Sequence, residues 1–240
     1  MGECRLYDDI DRALPHLDVH AGYWGGTLSA AGNAYHKSGR SGEYLPLLHR
    51  YDDILTHPKS ASALYSMLGE AYLRQGELDR ATKYYRQAVA LATDPIAVAQ
   101  GEGALHEIEH LQPGQLAPEI SGRTVDDQSV RLSDYSGQVV CLDFRATDCG
   151  FCWPEMPFLR EIRAAHADTE LVMICISRDQ DQERMCQVVE QENLSWLQIW
   201  EPTANADGVY RLGPIATAYN ARGIPRTVLP SEGVTTVFNT

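Results

Sequence analysis

Basic residues are scarce in this chain. Lys and Arg together number 20 against 33 Asp and Glu, a formal charge of −13. Nucleic acids and anionic membrane surfaces both require a basic patch, so those two partner classes are set aside. The acidic residues are spread along the chain, which suits solubility more than one dedicated cationic ligand. Long apolar runs are lacking too, and none reaches membrane-spanning length. Met1-Gly2-Glu3-Cys4-Arg5 carries neither the basic nor the apolar stretch of a secretory signal. As written the chain is therefore expected in the cytoplasm, the alternative being an extracytoplasmic site if a native signal has been replaced. Metal-ligand spacing is missing as well. There is no His-x-x-x-His pair, and Cys4, Cys141, Cys175 and Cys186 each stand alone, so neither a four-ligand zinc site nor any cofactor is expected. His16, His20, His36, His49 and His57 are scattered and read as solvated or capping residues.

What is present centres on Cys149-Gly150-Phe151-Cys152. Upstream, residues 138–144 form a continuous apolar run interrupted by one acid, Asp143, and read as a buried strand. Downstream, residues 155–167 carry helical spacing, with Phe158, Leu159, Ile162 and Ala165 on one stripe. A Cys-x-x-Cys pair between a strand end and a helix start is placed for thiol–disulfide exchange. Unpaired N–H groups and the helix dipole favour a thiolate on the first cysteine. Half a zinc site and two inert cysteines are the ordinary alternatives.

Further segments stand in a fixed order around this pair. They are Ala117-Pro118-Glu119-Ile120, residues 130–137 leading into the strand, Glu155-Met156-Pro157, and Tyr219-Asn220-Ala221-Arg222-Gly223-Ile224-Pro225. From about Pro113 to the C-terminus the chain resembles the TlpA/ResA-type thioredoxin-like thiol–disulfide oxidoreductases of the redoxin family. The resemblance implies an α/β thioredoxin-like domain, a central mixed sheet flanked by helices, that exchanges disulfides with a protein partner. It makes Cys149 the nucleophile and Cys152 the more buried resolving thiol. It makes Pro225 a cis proline facing the pair and Ile224 the backbone that meets the substrate strand, with Phe151 and Trp153 also on the substrate side. Pro157 becomes the proline that bends the active-site helix. Asp143 lies where thioredoxin has a buried acid, and it is expected to take the proton of Cys152 through a water. An ionised aspartate bonded to backbone is the plainer reading of that residue.

Three positions depart from the family pattern. Arg145 and Asp148 stand where tryptophans are usual, and Phe151 replaces a proline. Asp148 beside a nascent thiolate raises its pKa, and Arg145 offsets this if it reaches the sulfur or pairs with Asp148. These substitutions favour the alternative reading, an adaptor whose thioredoxin-like half has little or no activity. A thiol peroxidase is a weaker option, because Ala146 stands where that site wants a Thr. Copper delivery by a related fold lacks both its spacing and its histidine. Cys141, Cys175 and Cys186 read as small hydrophobes.

The remaining elements are expected as strands at 171–176, 195–200, 226–229 and 235–238 and helices at 181–192 and 213–220. The last two strands form a hairpin around Ser231-Glu232-Gly233, with Pro230 at an edge. No residues remain for the helix that usually closes this fold. An uncovered sheet face would be an association site, so a homo-oligomer is one expectation.

The N-terminal half contains a repeat. Ser29, Gly32, Ala34, Tyr35, Gly39 and Pro58 recur 37 residues on as Ser66, Gly69, Ala71, Tyr72, Gly76 and Pro95. The second copy, with Tyr65, Leu68, Gly69, Tyr72, Ala81, Tyr85 and Ala88, resembles a tetratricopeptide (TPR) repeat; the first is degenerate. The expected division is an all-α TPR-like domain over residues 1–111 and the thioredoxin-like domain over 112–240. The helical domain has repeats at about 25–58 and 62–95 and a capping helix at 95–111. Its role is open between a short groove for a partner peptide and a stability or dimerisation module.

Overall fold

The computed structural model describes residues 12–166, 171–206, 209–231 and 234–238. Cys4 and the hairpin residues Glu232 and Gly233 lie outside the described residues. The chain divides into two compact units, residues 1–108 and 109–240.

The first unit is helical. Helices α1 (Trp24–Lys37), α2 (Tyr44–His49), α3 (Pro58–Arg74), α4 (Leu78–Leu91) and α5 (Pro95–His110) follow one another. The 37-residue repeat is visible as two matching devices. Gly39 and Gly76 both take the left-handed conformation that ends a first helix, at φ 74° and 75°. Gly32 and Gly69 each lie against an aromatic ring of the following helix, where a Cβ would come within 2.7 Å of Tyr44 and 2.9 Å of Tyr85. The glycines thus let helix pairs close onto Tyr44 and Tyr85. The first copy is degenerate because its second helix, α2, is only six residues long. Trp24, Leu28, Tyr35, Leu48, Leu64 and Leu68 form the buried centre of this unit. Two of the scattered histidines bond to other side chains: His49 to the Tyr72 hydroxyl at 2.6 Å and His20 to Thr56 at 2.6 Å.

The second unit opens with a small hairpin, β1 (Ser121–Arg123) and β2 (Ser129–Arg131). Sequence reading did not foresee it, because each strand has only three residues and little apolar alternation. The main sheet has five strands in the order β5-β4-β3-β8-β9: β3 (Val139–Arg145), β4 (Leu171–Ser177), β5 (Leu197–Trp200), β8 (Arg226–Ser231) and β9 (Val234–Phe238). β3 pairs in parallel with β4 and antiparallel with β8, so the sheet is mixed. A short pair, β6 (Ala204–Ala206) with β7 (Val209–Arg211), stands apart from it.

Strand alternation sorts the core. Val140, Leu142, Phe144, Ile174 and Ile176 share one buried layer with Tyr219 and with Ile215 of helix α8 (Pro214–Ala218). On the opposite face Cys141, Met173 and Cys175 pack with Met156 and Leu159 of α6 (Met156–Ala165). Helix α7 (Gln182–Gln191) buries Met185 and is capped by Asp181, which accepts from Arg184 N–H.

Three expectations need correction. Of the expected stripe only Leu159 is buried; Phe158, Ile162 and Ala165 are exposed, and Met156 completes the buried side of α6. Pro157 does not bend a long helix. It stands in the first turn of α6, where its missing N–H costs nothing. Pro230 lies on β8, an interior strand, and β9 is the edge. The β3–β8 register runs from Val139↔Ser231 to Leu142↔Val228 with no pairing in between, the gap expected beside a residue without an N–H.

Candidate active site

β3 ends at the site, and its alternation decides what lies beneath it. Cys141, Asp143 and Arg145 point to the α6 side of the sheet, opposite Leu142 and Phe144. After Arg145 the chain turns through Ala146–Cys152. Cys149 and Cys152 are joined as a disulfide with Cα atoms 5.4 Å apart. Cys149 is half-buried and Cys152 is buried. The ring therefore presents only its first sulfur to an incoming group, the asymmetry that exchange requires.

Cys149 is not at the start of an α-helix. A 3-10 turn, Trp153–Glu155, comes first, and α6 begins at Met156. Pro154 and Pro157 explain the delay: each stands in the first turn of its own helix, where a proline is tolerated. The dipole of α6 thus begins about two turns from Cys149, and its pull on that sulfur is weaker than the sequence suggested.

The Ile224–Pro225 peptide bond is cis, as expected from the Gly223-Ile224-Pro225 segment. The Ile224 carbonyl oxygen lies 3.7 Å from the Cys149 sulfur. Phe151, between the cysteines, is 83% exposed and stands as an apolar rim beside the pair. Trp153 is half-buried, and its indole N–H donates to the Thr147 carbonyl at 3.1 Å.

On the α6 side of β3 lies a buried ion pair. The Asp143 carboxylate is 3.9 Å from the Arg145 guanidinium, and both side chains are almost fully enclosed. Arg145 also contacts the Met156 sulfur and lies 5.4 Å from the centre of the Trp153 ring. Pairing with Asp148 is one of the two conditions under which Arg145 would offset the Asp148 charge, and the ion pair seen is a different one. Among the described residues the ion-pair partner of Arg145 is Asp143, while Asp148 is exposed. The reason is register: positions 143 and 145 share a face of β3, whereas Asp148 follows the chain's turn outward.

Burial pushes the Asp143 carboxyl up to about 6, against the pull of Arg145 and with added repulsion from Glu155. Burial also raises the thiol of Cys141 to about 12 and lifts that of Cys175 well above its ordinary value, each reinforced by Asp143. Those two cysteines are inert neighbours of the site. The raised carboxyl has a consequence for stability. Between about pH 4, where an unfolded aspartate ionises, and about 6, the folded chain holds a proton that the unfolded chain has lost. This contribution is full below pH 4 and falls as pH rises, by about 3 kcal/mol in total. Urea denaturation of wild type and Asp143→Asn at pH 4 and pH 7 checks it. The wild type should lose stability relative to the variant as pH rises, and a pH-independent difference contradicts the assignment.

Sequence reasoning missed Thr147, Arg178 and Asp179. The Asp179 carboxylate accepts from the Thr147 N–H at 2.9 and 3.1 Å and from its hydroxyl at 2.5 Å. An acid and a base directly after an apolar strand, at the sheet end where the cysteines lie, was the available signal. Among the described residues no group of three or more His, Cys, Asp or Glu is arranged to hold a metal, and no helix is long and apolar enough to cross a membrane.

Comparison with known proteins agrees with this geometry. The AhpC/TSA family profile matches residues 113–227, and a tetratricopeptide repeat profile matches residues 62–95. The thiol–disulfide oxidoreductase ResA of Oceanobacillus iheyensis is 27% identical over 110 residues, covering 44% of this chain and 57% of that protein. ResA of Bacillus cereus is 25% identical over 118 residues, covering 49% and 68%. This chain therefore spans little more than half the length of the first of these relatives. Among solved structures, the thioredoxin domain of a thiol–disulfide oxidoreductase from Bacteroides vulgatus has a TM-score of 0.46 at 26% identity, covering 53% of this chain and 87% of that one. Most of the thioredoxin-like sheet and the Cys-x-x-Cys pair thus lie within the segment that is similar to the AhpC/TSA family, and they follow a helical half that carries a tetratricopeptide repeat match.

Proposed function

We propose that the protein is a thiol–disulfide oxidoreductase that exchanges disulfides with a protein partner through Cys149 and Cys152. The observation that carries this is the pair itself: one accessible and one buried sulfur, with the Ile224 carbonyl 3.7 Å from the accessible one. In the reducing direction the Cys149 thiolate attacks one sulfur of a partner disulfide. An S–S bond forms between the proteins and the partner's other sulfur leaves as a thiolate, which takes a proton. The Cys152 thiolate then attacks the Cys149 sulfur, which breaks the mixed disulfide and releases the partner's second thiol. Two electrons pass to the partner, and this chain ends as the Cys149–Cys152 disulfide.

Asp143, buried on the α6 side of β3, accepts the Cys152 proton for the second step, and a carboxyl near 6 is suited to that exchange at neutral pH. Arg145 keeps it ionised. Phe151 and the Ile224 backbone form the docking surface for an extended partner segment, and the TPR-bearing half recruits the partner. The match of residues 62–95 to a tetratricopeptide repeat is the feature on which that last role rests. The test is to offer a disulfide-bonded protein to the reduced wild type and to Cys149→Ser. Transfer by the wild type alone supports the reading, and no transfer by either contradicts it.

A further inference from the structure

Two consecutive residues just beyond β4 reach in different directions. Arg178 and Asp179 are 4% and 7% exposed, so both charges are held inside the protein. Arg178 extends the β3–β4 pairing, its N–H donating to the Arg145 carbonyl at 2.8 Å. Its guanidinium donates to the carbonyls of Ala221 at 2.7 Å and Arg222 at 3.2 Å, and to the Thr203 hydroxyl at 3.3 Å. Ala221 and Arg222 lead directly into Ile224 and Pro225. Asp179 reaches to the cysteine loop, where its carboxylate takes both the N–H and the hydroxyl of Thr147. The Ser177 hydroxyl donates to the same carboxylate at 2.7 Å, and the Trp200 indole donates to the Asp179 carbonyl at 2.8 Å. Thr147 in turn accepts the Trp153 indole on its carbonyl, so both ends of the cysteine loop are tied to one point.

The strand end thus grips two loops that approach each other at Cys149 and Ile224. Charge-assisted hydrogen bonds to buried groups hold geometry more firmly than neutral surface contacts do. Neither residue touches the reacting sulfurs. We propose that Arg178 and Asp179 are a paired strut, two positioning residues that set the Cys149 sulfur against the Ile224 backbone so that a partner disulfide docks in line for attack. The inference rests on the oxidoreductase reading above and deepens it.

The strut acts on docking geometry and leaves the intrinsic reactivity of the thiol alone, which separates it from a merely structural role. The variants are Thr147→Val, which removes the hydroxyl donor, Thr147→Ser, which keeps it, and Asp179→Asn. Two rates are compared in the reduced proteins: reduction of a disulfide-bridged peptide, and alkylation of Cys149 by iodoacetamide across pH, located by mass mapping. Thr147→Val and Asp179→Asn should slow peptide reduction about tenfold or more, the scale of a small misplacement of reacting atoms, while alkylation in Thr147→Val stays within about twofold. Thr147→Ser should restore the peptide rate. Denaturant midpoints guard against unfolding, and Thr147→Val serves if Asp179→Asn does not fold. Peptide rates unchanged in Thr147→Val, beside an active wild type, overturn the strut, as does alkylation that falls in step with peptide reduction. An inert wild type overturns the oxidoreductase reading itself and the strut with it.

Discussion

Cys149→Ser should abolish disulfide exchange, a loss on the order of a thousandfold or more, with the fold unchanged. Cys152→Ser should behave quite differently. The asymmetry follows from burial. Cys149 is the sulfur a partner can reach, so removing it leaves only Cys152, 2% exposed and closed to attack on a protein disulfide. A serine hydroxyl at position 149 is almost wholly un-ionised at neutral pH and cannot take over. With Cys149 intact and Cys152 replaced, the first step still runs, but nothing remains to break the mixed disulfide. Intact-mass spectrometry of Cys152→Ser with a disulfide-bonded protein should therefore show a stable one-to-one covalent adduct that dithiothreitol removes. An adduct forming equally on Cys149→Ser contradicts the assignment of roles.

Arg145→Met should shift the pH dependence of exchange upward, making the variant slow at pH 7 and competent again near pH 9. At 3.9 Å the guanidinium supplies attraction of about 4 kcal/mol at an effective dielectric of about 20. Without it the Asp143 carboxyl, already pushed up to about 6, rises past neutrality and no longer accepts a proton at pH 7. The exchange rate at pH 7 should fall about tenfold for each unit by which the carboxyl passes the ambient pH. Stability at pH 7 should change little, because a carboxyl left alone takes up a proton, whereas a guanidinium cannot lose one. Asp143→Asn should remove that limb of the profile altogether. Measuring exchange from pH 5 to 9 in the three proteins checks this, and superimposable profiles for wild type and Arg145→Met contradict it.

The parts of this molecule legible in the sequence are those governed by local rules. Strand β3 is a continuous apolar run, and β4 repeats the pattern, so their place in the sheet could be read directly. The cis bond at Ile224–Pro225 followed from the segment's resemblance to a known family. The TPR helices followed from small residues at fixed offsets, and Gly32 and Gly69 are where aromatic rings press in. What the sequence concealed depends on contacts across the fold. The partner of Arg145 stays open in the sequence between the sulfur and Asp148, and strand alternation, which puts Asp143 on the same face, supplies a different one. The exposed side of α6 was misread because Phe158 and Ile162 are apolar at helical spacing, and spacing alone does not say which stripe meets the sheet. Asp179 could not be assigned because its partner Thr147 is 32 residues away. The start of α6 was misplaced even though Pro154 and Pro157 mark it, since two prolines three apart cannot both lie in the first turn of one helix begun at Cys149.

The central claim is that Cys149 and Cys152 form a working redox couple, and a redox titration tests it most directly. Wild type and Cys149→Ser are equilibrated in glutathione buffers of stepped poise, acid-quenched, alkylated and weighed intact. The account predicts a single two-electron transition, between about −270 and −120 mV, that is absent in Cys149→Ser. A pair that never forms its disulfide, or one that stays oxidised at every poise, contradicts it.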